Sequence, residues 1–304
     1  MNWENSIESY KTYLILEKAL SEKSVEAYLN DIRKFEQYCI EHHDSILPND
    51  VNYEILKEYI NHIGEIGISS RTQARTISSI RSFFKFLVFD GELQNNPTRL
   101  LETPKIGRKL PNILTVDEID AMLATINIHT YEGQRNRAIL EMLYSCGLRV
   151  SELINLKLSD INLRLGIVKV SGKGNKERYI PLSKHAKEEV KQYIKMNREF
   201  VEITKGSEDI LFLSRRGSAL SRVMVFNIIK DLAKRAGIQK NISPHTFRHS
   251  FASHLVSGGA DLRAVQDMLG HESILTTEIY THLDDHYLKD VINQFHPRSK
   301  KKKK

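Results

Sequence analysis

Residues 95–114, which read NNPTRLLETPKIGRKLPNIL, constrain the fold more than any other stretch, because neither a helix nor a strand can run through them. Pro97, Pro104 and Pro111 interrupt regular hydrogen bonding, since proline has no backbone N–H and fixes its own φ angle. A chain of 304 residues is also long enough for two domains. The sequence therefore predicts a domain over 1–94, a linker over 95–114, a second domain over 115–297 and a basic tail over 298–304.

The first domain is predicted to contain helices only. Apolar residues recur at steps of three and four over 7–14, 25–39, 55–63 and 77–88, and this spacing places them along one face of a helix. We expect Ser21 and Asp50 to begin the second and third helices, and either Ser69 or Ser70 to begin the fourth, because such side chains accept hydrogen bonds from the first amides of a helix.

The second domain is predicted to combine helices with one small sheet. Thr115 and Glu118 match a capping box that begins its first helix. Residues 166–170 and 178–182 favour strands, and the polar stretch SGKGNKE between them indicates a hairpin. Helical patterns cover residues 116–126, 134–146, 149–156, 184–199, 221–236, 244–257 and 261–269. The predicted fold class is therefore mainly α with a small antiparallel sheet.

Composition excludes several classes of protein. No apolar stretch reaches the roughly 18–20 residues that span a bilayer, and the polar N-terminus is unlike a signal peptide. We therefore expect no membrane insertion, a cytoplasmic location, and reduced thiols in the core at Cys39 and Cys146. The net charge of +7 supports nucleic-acid binding only weakly, because Arg298 and Lys300–Lys304 supply most of it.

One face of the fourth predicted helix is basic. Arg71, Arg75 and Lys85 recur with Ser78 and Ser82 at helical spacing, and no acidic residue occurs over 69–89. Such a face is either an ordinary solvated surface or one that lies against DNA phosphates. The sequence alone leaves both interpretations open.

Residues 243–249, SPHTFRH, predict the start of a helix that carries cations. Ser243 is expected at the N-cap and Pro244 at the first helical position. His245 and Arg248 are three residues apart, so they share a face near the positive end of the helix dipole, where an anion such as phosphate binds well. Zinc on the histidines of this helix is an alternative, but their spacing is not that of a zinc site, and we expect no metal.

Four more residues join this pair. They lie in the segments CGLRVSEL, SGKGNKE, MLGHES and TTEIYTH, and each of them alone carries no information. The full set, in chain order, is Arg149, Lys173, His245, Arg248, His271 and Tyr280. Together these residues supply a hydroxyl nucleophile, two guanidinium groups, an amine and two imidazoles.

The order and spacing of the six residues resemble the tyrosine recombinases of the phage-integrase superfamily. The phrases GLRVSEL, HTFRHSFASHL, GGADLRAVQDMLGH and TTEIYTH look closely like the Xer branch, and the resemblance covers nearly the whole chain. It implies a helical, SAM-like core-binding domain that binds DNA, followed by an α/β catalytic domain. It also implies site-specific DNA recombination with neither a cofactor nor a metal.

The resemblance implies how the covalent step proceeds. Tyr280 would attack a DNA phosphodiester and form a 3′-phosphotyrosyl link. His245 would accept the tyrosine proton, and Lys173 would protonate the leaving 5′-oxygen. One ester replaces another, so the reaction needs no ATP.

The remaining site residues would bind the phosphate. Arg149 and Arg248 would clamp its oxygens through their planar guanidinium forks, and His271 would complete these contacts together with the first histidine. Glu152, three residues after Arg149, is expected to orient that arginine. Arg71, Arg75 and Lys85 are expected to contact DNA.

Partners and alternatives follow from the same resemblance. It implies a double-stranded recombination site, a homo-tetramer or a hetero-tetramer with a paralogous recombinase, and an FtsK-type DNA translocase. The reaction would pass through a Holliday junction and resolve chromosome dimers on the nucleoid. The apolar stripe of residues 285–295 is expected to pack on a neighbouring protomer in preference to its own domain. The alternatives are a phage or transposon integrase of the same chemistry, or a DNA-binding protein without catalysis, against which the complete six-residue set argues.

Overall fold

The computed structural model describes residues 2–104, 112–172, 177–270 and 283–299. The chain divides into two compact units, Met1–Lys109 and Leu110–Lys304. Each unit has a hydrophobic core of its own. Among the described residues, no helix has both the length and the apolar composition needed to cross a bilayer.

The first unit is helical throughout its described part, as the sequence predicts. Its helices are α1 (Trp3–Leu16), α2 (Glu22–His42), α3 (Tyr53–Glu65) and α4 (Ser70–Phe89). Ser21 and Ser69 occupy the N-cap positions of α2 and α4. The prediction for Asp50 is wrong, because this residue ends a short 3₁₀ turn and the side chain of Asn52 caps α3 instead, by accepting a hydrogen bond from the amide of Ile55.

Aromatic side chains hold the four helices together. Trp3 stacks on Phe83 with the ring centroids 6.0 Å apart, and Phe35 meets Trp3 edge-on at 5.7 Å. Leu101, from the stretch predicted as a linker, is buried in this core. The folded part of the first unit therefore continues beyond the predicted boundary at residue 94.

In the second unit, helices surround a three-stranded antiparallel sheet. Its elements are α5 (Val116–Ala124), α6 (Tyr131–Cys146), α7 (Val150–Ile154), β1 (Ile161–Asn162), β2 (Ile167–Ser171), β3 (Glu177–Pro181), α8 (Lys184–Met196), α9 (Arg222–Arg235), α10 (Pro244–Ser257), α11 (Leu262–Leu269) and α12 (Leu283–Phe295). The strand order is β1-β2-β3. The sequence predicts β2 and β3 but not β1, since a strand of two residues is too short to show an alternating pattern.

Helix α6 runs through the centre of this unit. Most of its residues are buried, and it packs against α8 and α10. The capping box of Thr115 and Glu118 begins α5 as predicted. Cys146 at the end of α6 is a buried free thiol, as is Cys39 in the first unit.

The C-terminal segment packs on its own unit. Val291 and Ile292 of α12 are buried against Phe251 and Leu255 of α10. The part of the expected stripe at Val291 and Ile292 is thus covered within this chain and not by a neighbouring protomer, while Tyr287 stays half exposed. Beyond the helix, Arg298 is also buried. Its charge is balanced there, since its guanidinium pairs with Asp120 and its Nε lies 3.2 Å from Glu141 Oε1. Arg298, assigned to the basic tail on its charge alone, therefore belongs to the folded unit.

Candidate active site

Arg149 is positioned by a tight turn between α6 and α7. Gly147 ends α6 with φ of +58°, in the left-handed region that favours glycine. A Cβ atom at Gly147 would lie 2.5 Å from Cδ1 of Phe251, so a larger residue does not fit. The turn places Arg149 at the N-cap of α7, with about a third of its side chain exposed, at 34%. Its guanidinium is therefore supported by the protein and open to a ligand.

Arg248 lies on the first turns of α10 and points into the protein. Ser243 and Pro244 begin this helix as predicted. The Arg248 guanidinium donates to the carbonyl of Gly147 at 2.8 Å and to the carbonyl of Leu269. These two acceptors lie on different elements, so the planar fork of arginine ties the end of α6 to the end of α11.

Glu152 is the buried carboxylate of the site. Its Oε1 accepts from Nη1 of Arg149 at 2.8 Å, and its Oε2 accepts from the backbone amide of the same residue at 2.7 Å. Oε2 also lies 4.0 Å from Nη1 of Arg248. The contacts agree with the orienting role expected of Glu152.

Arg178 on β3 is a member of the site that the sequence analysis missed. Its Nη1 and Nη2 donate to the two oxygens of Glu152, each at 3.0 Å, and its Nε donates to the carbonyl of Met268 at 2.8 Å. The alternating pattern of β3 could have revealed Arg178 from the sequence. Arg178 pairs with Val170, while Ile180 on the same face pairs with Val168, and both valines are buried. A charged residue at such an inward position is rare unless it is paired.

The three arginines converge on the end of α11. The carbonyls of Met268, Leu269 and Gly270 accept from Arg178, Arg248 and Arg149 in that order, the last at 3.4 Å. These carbonyls form the negative end of the helix dipole, which favours cations. Gly270 ends α11 with φ of +64°, as predicted, and immediately precedes His271 in the sequence.

Electrostatics in the site favour an anionic ligand. Burial acts to raise the pKa of Glu152, but the hydrogen bonds and charge of Arg178, followed by those of Arg149, hold it below its ordinary value. Burial, and then the charge of Arg149, lowers the pKa of Arg248 to about 10, so this residue stays charged at neutral pH. The charges of the three arginines and of Glu152 leave a formal charge of +2.

His245 lies beside this cluster on the exposed side of α10. Partial burial, and then the charges of Arg248, His249 and Arg149, lower its pKa below the ordinary value for histidine. A neutral imidazole can accept a proton, which suits a general base. Lys173, His271 and Tyr280 lie outside the described residues, so their positions relative to this cluster stay predictions.

The basic face of α4 in the first unit is exposed as predicted. Arg71, Arg75 and Lys85 all reach solvent, while Ile77 and Phe84 are buried on the opposite side. Arg75 is also held in place, because its guanidinium pairs with the buried carboxylate of Asp31 on α2. This arrangement fixes the direction of an exposed cation.

The histidines of α10 do not form a metal site with other described residues. His254, which we weighed as a zinc ligand, forms a 2.8 Å hydrogen bond between its Nδ1 and the hydroxyl of Tyr144. Across the described ranges, no group of three or more histidine, cysteine or acidic side chains is arranged to hold a metal ion.

Comparison with known proteins identifies the class to which this site belongs. Residues 112–286 match the phage integrase family, and residues 7–91 match the N-terminal SAM-like domain of phage integrases. The chain therefore belongs to the phage integrase family.

The closer relationship is to the Xer branch of the tyrosine recombinases. The chain is 43% identical over 296 residues to tyrosine recombinase XerD of Staphylococcus aureus, which covers 97% of this chain and 100% of that protein. It is thus a site-specific tyrosine recombinase of this branch, an enzyme that cleaves and rejoins DNA strands.

Solved structures agree with this assignment. XerH site-specific recombinase, in a post-cleavage complex with a palindromic difH substrate, is 25% identical, with a TM-score of 0.68 over 89% of this chain and 79% of that one. The Tn1549 transposon integrase, in complex with a circular intermediate DNA, has a TM-score of 0.72 at 21% identity, over 94% of this chain and 98% of that one. The latter likeness is one of fold.

Proposed function

We propose that this recombinase breaks and rejoins DNA through a covalent 3′-phosphotyrosyl intermediate at Tyr280. The observation that carries the proposal is the joint placement of Arg149 and Arg248 around Glu152, in a cluster of net positive charge. A phosphodiester carries one negative charge and gains another as the nucleophile attacks. Preorganised guanidinium groups stabilise that developing charge without having to rearrange.

The covalent step moves two protons and exchanges one ester for another. The Tyr280 oxygen attacks phosphorus while its proton passes to His245, whose lowered pKa leaves the imidazole neutral and able to accept it. The bond from phosphorus to the 5′-oxygen breaks, and Lys173 gives that oxygen a proton. His271 contacts the phosphate oxygens alongside the two arginines. Rejoining reverses these transfers with a 5′-hydroxyl as the nucleophile.

DNA binding involves the first unit as well. The exposed cations Arg71, Arg75 and Lys85 on α4 are proposed to contact the duplex near the cleavage point. Arg75 is the strongest of these candidates, because Asp31 orders its side chain before DNA arrives.

In the cell, we place the reaction at the resolution of chromosome dimers in the cytoplasm, on the nucleoid. The identity to XerD supports this role. Four protomers would exchange strands through a Holliday junction, as a homo-tetramer or together with a paralogous recombinase, and an FtsK-type translocase would bring the two sites together. A purified homo-tetramer that recombines two sites by itself would distinguish the first assembly from the second.

The test is a nicked suicide substrate, which traps the covalent complex because the strand needed for rejoining diffuses away. We expect a protein–DNA adduct on a denaturing gel, formed equally well in excess EDTA. Tyr280→Phe should bind the site and form no adduct, while Tyr287→Phe, at an exposed tyrosine of α12, serves as the matched control. An adduct in Tyr280→Phe, or one that requires added metal, would overturn the proposal.

A further inference from the structure

Arg178 has contacts that a simple structural ion pair does not need. It binds both oxygens of Glu152 at 3.0 Å, binds the carbonyl of Met268 at 2.8 Å, and is largely buried. It also packs against Gly270, where an added Cβ atom would come 3.1 Å from Cδ of Arg178. One side chain thus joins the hairpin strand β3, the start of α7 and the end of α11.

The negative charge of Glu152 disfavours a bound phosphate, and Arg178 balances that charge. The carboxylate orients Arg149 by two hydrogen bonds, yet it also carries a negative charge into the site where a phosphate must bind. Alone, it would neutralise one of the two arginines proposed to clamp that phosphate. A third guanidinium, bound to Glu152 through a bidentate pair, balances its charge and leaves both clamp arginines with their full charge.

The hydrogen bonds of Arg178 separate it from the clamp arginines. Its Nε, Nη1 and Nη2 all donate to Met268 or Glu152, and 13% of its side chain is exposed, against 34% for Arg149 and 9% for Arg248. It therefore acts on the phosphate through Glu152 and the end of α11.

We propose that Arg178 is a positioning residue for the strand-cleavage reaction, which compensates the charge of Glu152 so that Arg149 and Arg248 act on the phosphate undiminished. This inference rests on the proposed function of the two clamp arginines. It adds to the six-residue signature a seventh position, whose substitution is expected to slow chemistry more than DNA binding.

The test compares two substrates that differ by one negative charge. One carries the ordinary phosphodiester at the cleavage position, and the other carries a neutral methylphosphonate there. On the ordinary substrate, Arg178→Met is expected to slow adduct formation by about 10²-fold, at the lower end of the loss that follows removal of one preorganised donor. On the methylphosphonate the loss should shrink to a few-fold, because the transition state has one negative charge fewer to stabilise.

Two further variants separate this role from a structural one. Arg137→Met removes another half-buried arginine, which pairs with Glu189 at 2.7 Å, and it should leave cleavage of both substrates unchanged. Arg178→Lys keeps the charge and loses the bidentate fork, so we expect a smaller loss, nearly equal on the two substrates. If Arg178→Met fails to fold, which the thermal midpoint of each purified variant reports, Arg178→Gln removes the same charge with a polar side chain and carries the same expectation and the same contradicting outcome.

The outcomes are distinct. An equal loss on both substrates by Arg178→Met, at an unchanged thermal midpoint, would overturn the inference. So would a loss in Arg178→Lys that is large on the phosphodiester and small on the methylphosphonate, since the lysine retains the charge. If the wild-type protein forms no adduct at all, the proposed function itself fails, and the comparison between variants does not arise.

Discussion

At the scale of single residues, the contacts of Arg248 match the planar fork of an arginine. Its guanidinium donates to two carbonyls on different elements, those of Gly147 and Leu269, and lies 4.0 Å from Glu152. A lysine ammonium is a point charge on a flexible stem, so it would not bind both carbonyls in the fixed geometry of a guanidinium fork.

Arg248→Lys is therefore expected to reduce the single-turnover rate of adduct formation by about 10²–10³-fold, the usual cost of losing a preorganised donor. Binding of the uncleaved site should change much less. Gel-shift affinity and adduct formation, measured on the same preparation, check this expectation. Equal losses in both would reduce Arg248 to an ordinary phosphate anchor.

His296 is the residue whose titration should affect stability most clearly. It is fully buried after α12, and its Nδ1 accepts a hydrogen bond from the amide of Arg298 at 3.1 Å. Burial, followed by the charges of Arg298, His254 and His185, lowers its pKa to about 3. The folded state thus binds fewer protons than the unfolded state in this pH range. The free energy of unfolding is therefore unaffected by titration of His296 above pH 6.5, and it decreases as the pH falls from 6.5 toward 3.

His296→Asn keeps an acceptor near Nδ1 but cannot be protonated. Between pH 7 and pH 5 the free energy of unfolding of the wild-type protein should fall by about 2 kcal/mol more than that of the variant, from 1.36 kcal/mol per pKa unit. Urea unfolding at the two pH values measures this difference. His129→Asn, at an exposed turn, is the control and should follow the wild type. Parallel profiles for the wild-type protein and His296→Asn would contradict the assignment.

The sequence motifs predicted several residues of the site but not Arg178. Arg149, His245 and Arg248 follow from motif and spacing. The structure places the two arginines around Glu152, and His245 is close enough for the charges of both arginines to lower its pKa. Arg178 does not follow, because its partner Glu152 is 26 residues away and the pairing depends on the register of β3 against β2. Long-range pairing of this kind is set by the packing of elements, which local patterns do not encode.

At the scale of elements, periodicity predicted the helices well and short elements poorly. The apolar stripes of α2, α4 and α10 and the glycine ends of α6 and α11 lie where the sequence placed them. Strand β1 and the start of α3 were missed or misplaced. Each of these features depends on only one or two residues. At the start of α3, for example, both Asp50 and Asn52 have side chains that can cap a helix, and the structure uses Asn52.

Helix α4 gives a prediction of its own. Asp31 is 1% exposed and accepts from Ser79 at 2.7 Å as well as from Arg75, so the carboxylate fixes the arginine from below. Arg75→Ala should weaken binding of the recombination site and reduce the salt dependence by about one phosphate contact, or cost roughly 1–3 kcal/mol if the contact is to a base. Asp31→Asn should weaken binding in the same direction, because Arg75 then loses its fixed orientation.

Fluorescence anisotropy over a range of salt concentrations measures both effects. Lys11→Ala, on α1 of the same unit and paired with Glu8, is the matched control for loss of a surface cation. If Arg75→Ala binds DNA as tightly as Lys11→Ala does, the basic face of α4 is an ordinary solvated surface.

At the scale of the whole molecule, positive charge is concentrated at the C-terminal end of the sequence. Arg298 is buried in the second unit, so the lysines at 300–304 begin where its described structure ends. We expect them to add affinity for any DNA and no sequence preference, because the attraction between lysine ammonium groups and backbone phosphates does not depend on the base sequence. Each phosphate that they neutralise adds about 0.9 to the salt slope for duplex DNA.

Truncation after Ser299 should therefore weaken binding to cognate and random DNA by similar factors and flatten the salt dependence. Adduct formation at saturating protein should be unchanged, since the proposed catalytic residues lie within 149–280. Selective loss of the cognate site, or loss of cleavage at saturation, would instead assign the tail to the site or to the assembly.

The mechanism depends above all on the joining of Tyr280 to the 3′ end of the cleaved strand under the control of the arginine cluster. The most direct measurement is to trap the adduct on a suicide substrate labelled at either end of the scissile strand, and to sequence the DNA-linked peptide by mass spectrometry. We expect one modified peptide, linked through Tyr280 to a 3′-phosphate, with a free 5′-hydroxyl on the released fragment. A link through another residue, a link to a 5′-phosphate, or cleavage without any covalent link would contradict it.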